Sequence, residues 1–323
     1  EMKKSASFFS AEAEKKDAFC KQVLEIMTKQ RKWQYVGLLY ISPWLIGFMV
    51  LTLYPFLASV YYSFTDYSMV REANFVGVKN YVDMFTKDPD FYQALHVTFL
   101  YVLIAVPGKL IFALFIAMIM NIRLRGIHFF RTVYYLPSIL GGSVAVAVLW
   151  RFLFMRDGLV NNVLSLFGIP PADWLGSPDY ALFTIALLPI WEFGSSMVIF
   201  LAGLKQIPGE LYEAAKVDGS SRVRTFFSIT LPLLTPVILF NLVMQTINAF
   251  QQFTAAFVVT NGGPAKATYL YGLLLYNNAF KFFKMGYASA LSWVLFGIIF
   301  IITLILFKSS NRWVYYADGG ERR

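Results

Sequence analysis

Six apolar runs, at about residues 36–63, 97–120, 130–154, 181–204, 232–259 and 286–307, constrain this chain more than any other feature. Each is long enough to cross a hydrocarbon layer of ~30 Å, which takes roughly 20 helical residues. Inside lipid every backbone N–H and C=O must be satisfied within the protein, so runs of this length are expected as helices. The expected fold is an all-α integral membrane protein with six transmembrane helices. Pro43, Gly47 and Pro55 in the first run do not argue against a span, because neighbouring groups in a membrane bundle satisfy the carbonyl a proline frees. Composition agrees: 58% of residues are hydrophobic and 15% charged, and mean hydropathy is positive, far more apolar than a soluble domain.

Lysine and arginine sort the connections into two sides. The leader holds Lys3, Lys4, Lys15, Lys16, Lys21, Lys29, Arg31 and Lys32, and the second-to-third connection holds Arg123, Arg125 and Arg131. The fourth-to-fifth connection, about 205–231, adds Lys205, Lys216, Arg222 and Arg224, and the tail adds Lys308, Arg312, Arg322 and Arg323. The intervening connections carry acids instead: Asp66, Glu72, Asp83, Asp88 and Asp90, then Asp157, Asp173 and Asp179. Only the fifth, with Lys266, Lys281 and Lys284, disagrees mildly. Both termini are therefore expected in the cytoplasm of a bacterial cell, on a multi-pass plasma (inner) membrane protein. The formal charge of +9 is accounted for by this bias and needs no nucleic-acid partner.

The domain expectation is a leader at 1–34, a transmembrane domain at 35–308 and a cytoplasmic tail at 309–323. No cleavable signal peptide is expected ahead of the first run. Residues 11–32 read either as an amphipathic helix on the inner leaflet or a partner, or as a solvated tail. Cys20 is the one cysteine, which excludes an intrachain disulfide and a multi-cysteine metal site. His96 and His128 share no ligand spacing, so no metal site is expected.

The fourth-to-fifth connection is the most specific region. Glu213, Ala214 and Ala215 lie on a segment of good helix formers ending at Asp218, and Gly219 can take a left-handed backbone. Ser220-Ser221 can cap a second short helix through Phe226 and Phe227 towards Pro232. An ordinary amphipathic connector would explain any one of these residues. The whole pattern, Glu-Ala-Ala, three residues, Gly219, nine residues, then Ile229-Thr-Leu-Pro232, resembles the cytoplasmic signature of permease subunits in binding-protein-dependent ABC importers.

That resemblance implies a six-helix permease core with a cytoplasmic coupling helix-turn-helix. It also implies partners: a second, homologous permease, two cytoplasmic ATPase subunits and an extracytoplasmic solute-binding protein. Glu213 would pair with a basic residue of the ATPase, Ala214 and Ala215 would allow close approach, and Gly219 would set the angle between the short helices. Asp218, Phe226, Ile229 and Pro232 belong to the same coupling surface. Looser motifs resemble the carbohydrate-uptake subgroup: Pro43-Trp-Leu-Ile-Gly-Phe48, Phe75-Val-Gly-Val-Lys-Asn-Tyr81, the turn Thr260-Asn-Gly-Gly-Pro264 and Gly286-Tyr-Ala-Ser-Ala290. The resemblance extends from about Ser42 to Phe307 and implies a saccharide substrate. The alternative ligand is an acidic oligosaccharide or a phosphorylated small solute such as glycerol phosphate.

In the fifth run Asn241, Gln245, Asn248 and Gln252 recur at helical spacing on one face. Four carboxamides are costly against lipid, so the face meets protein or water. They suit a hydroxyl-rich ligand, with Phe253 beside them for a sugar ring, or else they bond helix to helix. Lys109 and Glu192 are charges in mid-span, which face the interior and pair with each other, or else Glu192, beside Trp191, Ser195 and Ser196, lines the pathway. No phosphate-cradling loop ending in Gly-Lys-Ser/Thr occurs, so no enzyme activity and no cofactor are expected on this chain, with Mg-ATP held by the partner ATPases.

Overall fold

The structure, a computed structural model, describes residues 39–69, 72–122 and 126–315. The leader lies outside the described residues. The chain divides into two units, one ending at Tyr61 and one beginning at Tyr62. The first contributes most of one helix, α1 (Leu39–Ser63), which is long and apolar enough to cross a membrane. All that follows concerns the second unit.

A short helix α2 (Lys79–Thr86) precedes α3 (Pro89–Met120), the axis of the bundle. Asp88 caps α3, its carboxylate accepting from the Asp90 N–H at 2.9 Å, and Pro89 occupies the first turn, where no N–H is needed. Its 32 residues extend about 48 Å, more than a hydrocarbon core requires. Next come α4 (Ile127–Leu140), α5 (Val144–Phe154), α6 (Leu159–Leu166), α7 (Pro178–Trp191), α8 (Gly194–Gln206) and α9 (Gly209–Val217). The chain then forms α10 (Arg222–Phe250), α11 (Tyr271–Tyr276) and α12 (Met285–Trp313).

Four helices are long and apolar enough to span, and two bent pairs bring the number to six. Each pair departs from a single straight span. The third run breaks after α4 with a bend of 101° before α5 and α6. Gly141-Gly142-Ser143 supplies the break: Gly142 sits at φ 75°, and the Ser143 hydroxyl caps α5 by accepting from the Val146 N–H at 3.3 Å. The fourth run bends by 49° between α7 and α8, just past Pro189, whose ring cannot fit a straight helix.

The fifth span also differs from its expected 232–259. The helix begins ten residues earlier, at Arg222, and ends at Phe250. The second short helix of the coupling loop is thus continuous with the span. A π-helical turn at Phe226–Thr230 precedes Pro232 and absorbs the proline without a clash in the preceding turn. Gln251 to Phe253 leave the helix, and a second π-helical turn, Ala256–Thr260, closes before Asn261 at φ 50°.

Helix α3 packs against α7, α8, α10 and α11. Its first half joins one apolar cluster with Phe154, Ile185, Phe250, Tyr271 and Leu291. Its second half, from Val106 on, joins another with Met197, Phe200, Leu204 and Leu234. The seam between the two clusters falls near the middle of α3.

Candidate substrate cavity and coupling helices

A cavity of about 360 Å³ opens at that seam. Tyr101, Ala105, Val106 and Lys109 form its α3 wall, successive turns of one helix face. The opposite wall comes from the two breaks: Ser138, Gly141 and Gly142 from the third span, and Pro189 and Glu192 from the fourth. Helix α10 and the residues just after it add Gln245, Asn248, Ala249 and Gln252. Amides, a hydroxyl, an ammonium and a carboxylate therefore converge half-way along the longest helix, where they avoid lipid and meet a space that admits water or ligand.

The breaks hold Glu192 in place. Its Oε1 accepts a hydrogen bond from the Gly142 N–H at 3.2 Å, and a methyl group at Gly141 would lie 2.5 Å from its Cδ. Only glycine lets the carboxylate lie against the backbone of the break. Lys109 is on the facing wall, and no ion pair within 4.0 Å joins it to Glu192. The ion pairs among the described residues are Lys87–Asp83 and Lys266–Asp90.

The carboxamide stripe divides. Gln245 and Asn248 line the cavity from α10, and Gln252 reaches it from beyond the helix end, its Oε1 accepting from the Phe253 N–H at 2.9 Å. Asn241 does not line the cavity: it is fully buried and its Nδ2 donates to the Val237 carbonyl at 3.1 Å. Phe253 stacks on Phe257 at a centroid distance of 5.1 Å and meets Tyr276 at a tilt, 4.8 Å away, and is not among the cavity-lining residues. Trp191 faces Trp150 at 6.0 Å rather than the cavity. Sequence reasoning missed Tyr101, Ser138 and the Gly141-Gly142 break as lining, and left Lys109 unassigned. The eight-residue spacing of Tyr101 and Lys109, two turns of one face, was the available signal for the first.

The coupling region is a closed helix pair. At the end of α9 the Ser220 N–H bonds the Ala215 carbonyl at 2.9 Å and the Gly219 N–H bonds the Lys216 carbonyl at 3.2 Å. These are the two bonds of a Schellman motif, with Gly219 at φ 69° as its left-handed residue. The Ser221 hydroxyl then accepts from the Arg224 N–H at 3.3 Å to start α10. A bond of 3.1 Å between the Tyr212 and Thr230 hydroxyls ties α9 to the turn leading into the fifth span. Ala215 is buried, whereas Glu213, Ala214 and Asp218 are exposed. Val217, Val223 and Phe227 project apolar surface, Phe227 edge-on to Phe226. Ile229 and Pro232 are half-buried in the π-helical turn and just beyond it.

Outside the spans, Asp90 holds the Lys266 ammonium, which raises the lysine above its ordinary pKa. Burial pushes the Tyr269 hydroxyl up as well. Asp88, two residues before Asp90, accepts from the Tyr287 hydroxyl, so the head of α3 and the head of α12 are pinned together.

A polytopic helical bundle with a polar cavity half-way along its longest helix and a capped helix pair suits a membrane transport subunit. The chain belongs to the family of binding-protein-dependent transport system inner membrane components, whose description matches residues 90–316. It is 52% identical over 294 residues to YesP, a probable ABC transporter permease protein of Bacillus subtilis (strain 168), covering 90% of this chain and 95% of the relative. It is 34% identical to the trehalose/maltose transport system permease protein MalF of Thermococcus litoralis (strain ATCC 51850 / DSM 5473 / JCM 8560 / NS-C), over 84% of this chain and 92% of the relative. In fold it resembles a chain from the crystal structure of a bacterial ABC transporter involved in import of the acidic polysaccharide alginate. The TM-score is 0.74 at 22% identity, over 88% of this chain and 96% of that one.

Proposed function

We propose that this chain is the permease of an ATP-driven importer that carries a sugar or oligosaccharide handed over by an extracytoplasmic binding protein. It acts beside a second, homologous permease, above two cytoplasmic ATPase subunits that hold Mg-ATP, with both termini in the cytoplasm. The observation that carries the reading is the 360 Å³ cavity lined by Gln245, Asn248 and Gln252 on the same chain as the closed coupling pair around Gly219. Amides that both donate and accept suit a hydroxyl-rich solute. The names of the permease relatives, among them a trehalose/maltose and a lactose transport system, support a saccharide.

The mechanism is alternating access. ATP closes the ATPase dimer, α9 follows its surface cleft, and the Tyr212–Thr230 tie passes the movement into α10. Helix α10 carries Gln245 and Asn248, so displacement of α9 reaches the cavity wall through one continuous helix. The test is uptake of labelled saccharides by the complete importer in proteoliposomes, with the loaded binding protein outside and ATP inside. Saccharide uptake that requires ATP supports the reading. ATP-dependent uptake of amino acids or peptides with no saccharide response would overturn it.

A further inference from the structure

The cavity holds an ammonium that the protein leaves without a direct partner. Lys109 lies mid-way along α3, is 9% exposed and lines the cavity. Among the described residues its Nζ has neither a hydrogen bond nor a carboxylate within 4.0 Å. Glu192, the nearby carboxylate, is fixed on the far wall by the Gly142 N–H. A second group is unsatisfied two turns away on the same face. Tyr101 is fully buried, and its hydroxyl lacks a hydrogen-bond partner. Both residues line the same cavity.

A buried ammonium with no direct ion pair is costly in a membrane-embedded site. A sugar hydroxyl offers it a dipole. A carboxylate offers a full charge and a charge-assisted hydrogen bond about twice as strong as a neutral one. We propose that the saccharide carried through this cavity bears a carboxylate, as a uronic acid residue does, seated on Lys109. The Tyr101 hydroxyl donates to the same sugar, and the carboxylate of Glu192, held on the opposite wall, accepts from sugar hydroxyls. A single ammonium facing a fixed carboxylate fits a monoanion better than a phosphate dianion. This inference rests on the saccharide reading above and narrows it.

The test is equilibrium binding to the assembled importer in nanodiscs. The probes are digalacturonate, its uncharged methyl diester, neutral maltotriose and glucose 6-phosphate. The expected result is that the acid binds roughly 10-fold or more tightly than the diester. Lys109→Gln should bring the two within about 2-fold, and Lys109→Arg should keep the preference. The wild-type comparison alone decides the matter should a variant fail to assemble. Equal binding of acid and diester, preference for maltotriose, or a preference that survives Lys109→Gln overturns the proposal and leaves saccharide import standing. Tightest binding of glucose 6-phosphate overturns it in favour of a phosphorylated solute. Failure of every saccharide to bind overturns it together with the reading it rests on.

Discussion

The Gly142 N–H donates to Glu192 Oε1 at 3.2 Å, and this one bond joins the breaks of two different membrane spans. Gly141, immediately before it, leaves no room for a side chain against the Glu192 carboxyl. The two glycines and the glutamate therefore act as a unit. Gly141→Ala should displace the carboxylate and lower saccharide uptake to the level of Glu192→Ala. The double variant should be no worse than either single one, because coupled residues are non-additive. Additive losses in proteoliposome uptake would mean that the two residues act separately.

Tyr101 allows stability and binding to be separated. Its hydroxyl is buried without a partner, a state that costs about 1–3 kcal/mol. Tyr101→Phe should leave the melting temperature unchanged or raised while weakening saccharide binding. A lowered melting temperature with unchanged binding would show that the hydroxyl serves the fold instead.

Gln245 and Asn248 line the cavity whereas Met244 is 42% exposed on another face of α10. Leucine at Gln245 or Asn248 removes ligand hydrogen bonds worth roughly 0.5–1.5 kcal/mol each. Transport should fall several-fold while ATP hydrolysis stimulated by loaded binding protein persists. Met244→Leu serves as the mild control. Parallel loss of assembly in the two amide variants would reassign the amides to helix packing.

The requirement at Gly219 is conformational, since φ is 69° and nothing lies within 4 Å of where a Cβ would be. Gly219→Asn should be tolerated, because asparagine visits the left-handed region. Gly219→Val should open the Schellman closure, leave the chain inserted and uncouple ATP hydrolysis from uptake. Wild-type coupling in the valine variant would remove this turn from the coupling surface.

Sidedness is testable with thiols in a Cys20→Ser background. Val217 is 88% exposed on α9, and Pro170 is exposed in the connection before α7. An impermeant reagent should label Pro170→Cys on intact cells and reach Val217→Cys only after permeabilisation. The reverse pattern would invert the topology.

Much of the architecture was legible because lipid enforces it: apolar runs long enough to span, and their helical state, follow from solvation alone. The closed turn at Gly219 was equally readable, since its hydrogen bonds are local. What hydropathy could not give was direction. Gly141-Gly142-Ser143 reads as three small residues in an apolar run, yet it turns the chain by 101°. Glu192 reads as a lone acid, and only the fold brings it beside a backbone fifty residues earlier. The carboxamide stripe assumed an unbroken helix to Gln252. The helix stops at Phe250, and Asn241 turns to its own backbone, so periodicity placed Gln245 and Asn248 on one surface but could not say where that surface met open space.

Proline has a mechanical consequence in this bundle. Pro107, Pro137 and Pro189 lie inside three helices near the level of the cavity, each removing a backbone hydrogen bond that bending would otherwise have to strain. The two apolar clusters of buried residues lie on either side of that level. Compliance is therefore concentrated in one thin layer between two stiffer blocks. On the proposed reading, torque arriving from the coupling end would be taken up at that layer, so that the binding surface would also be the joint.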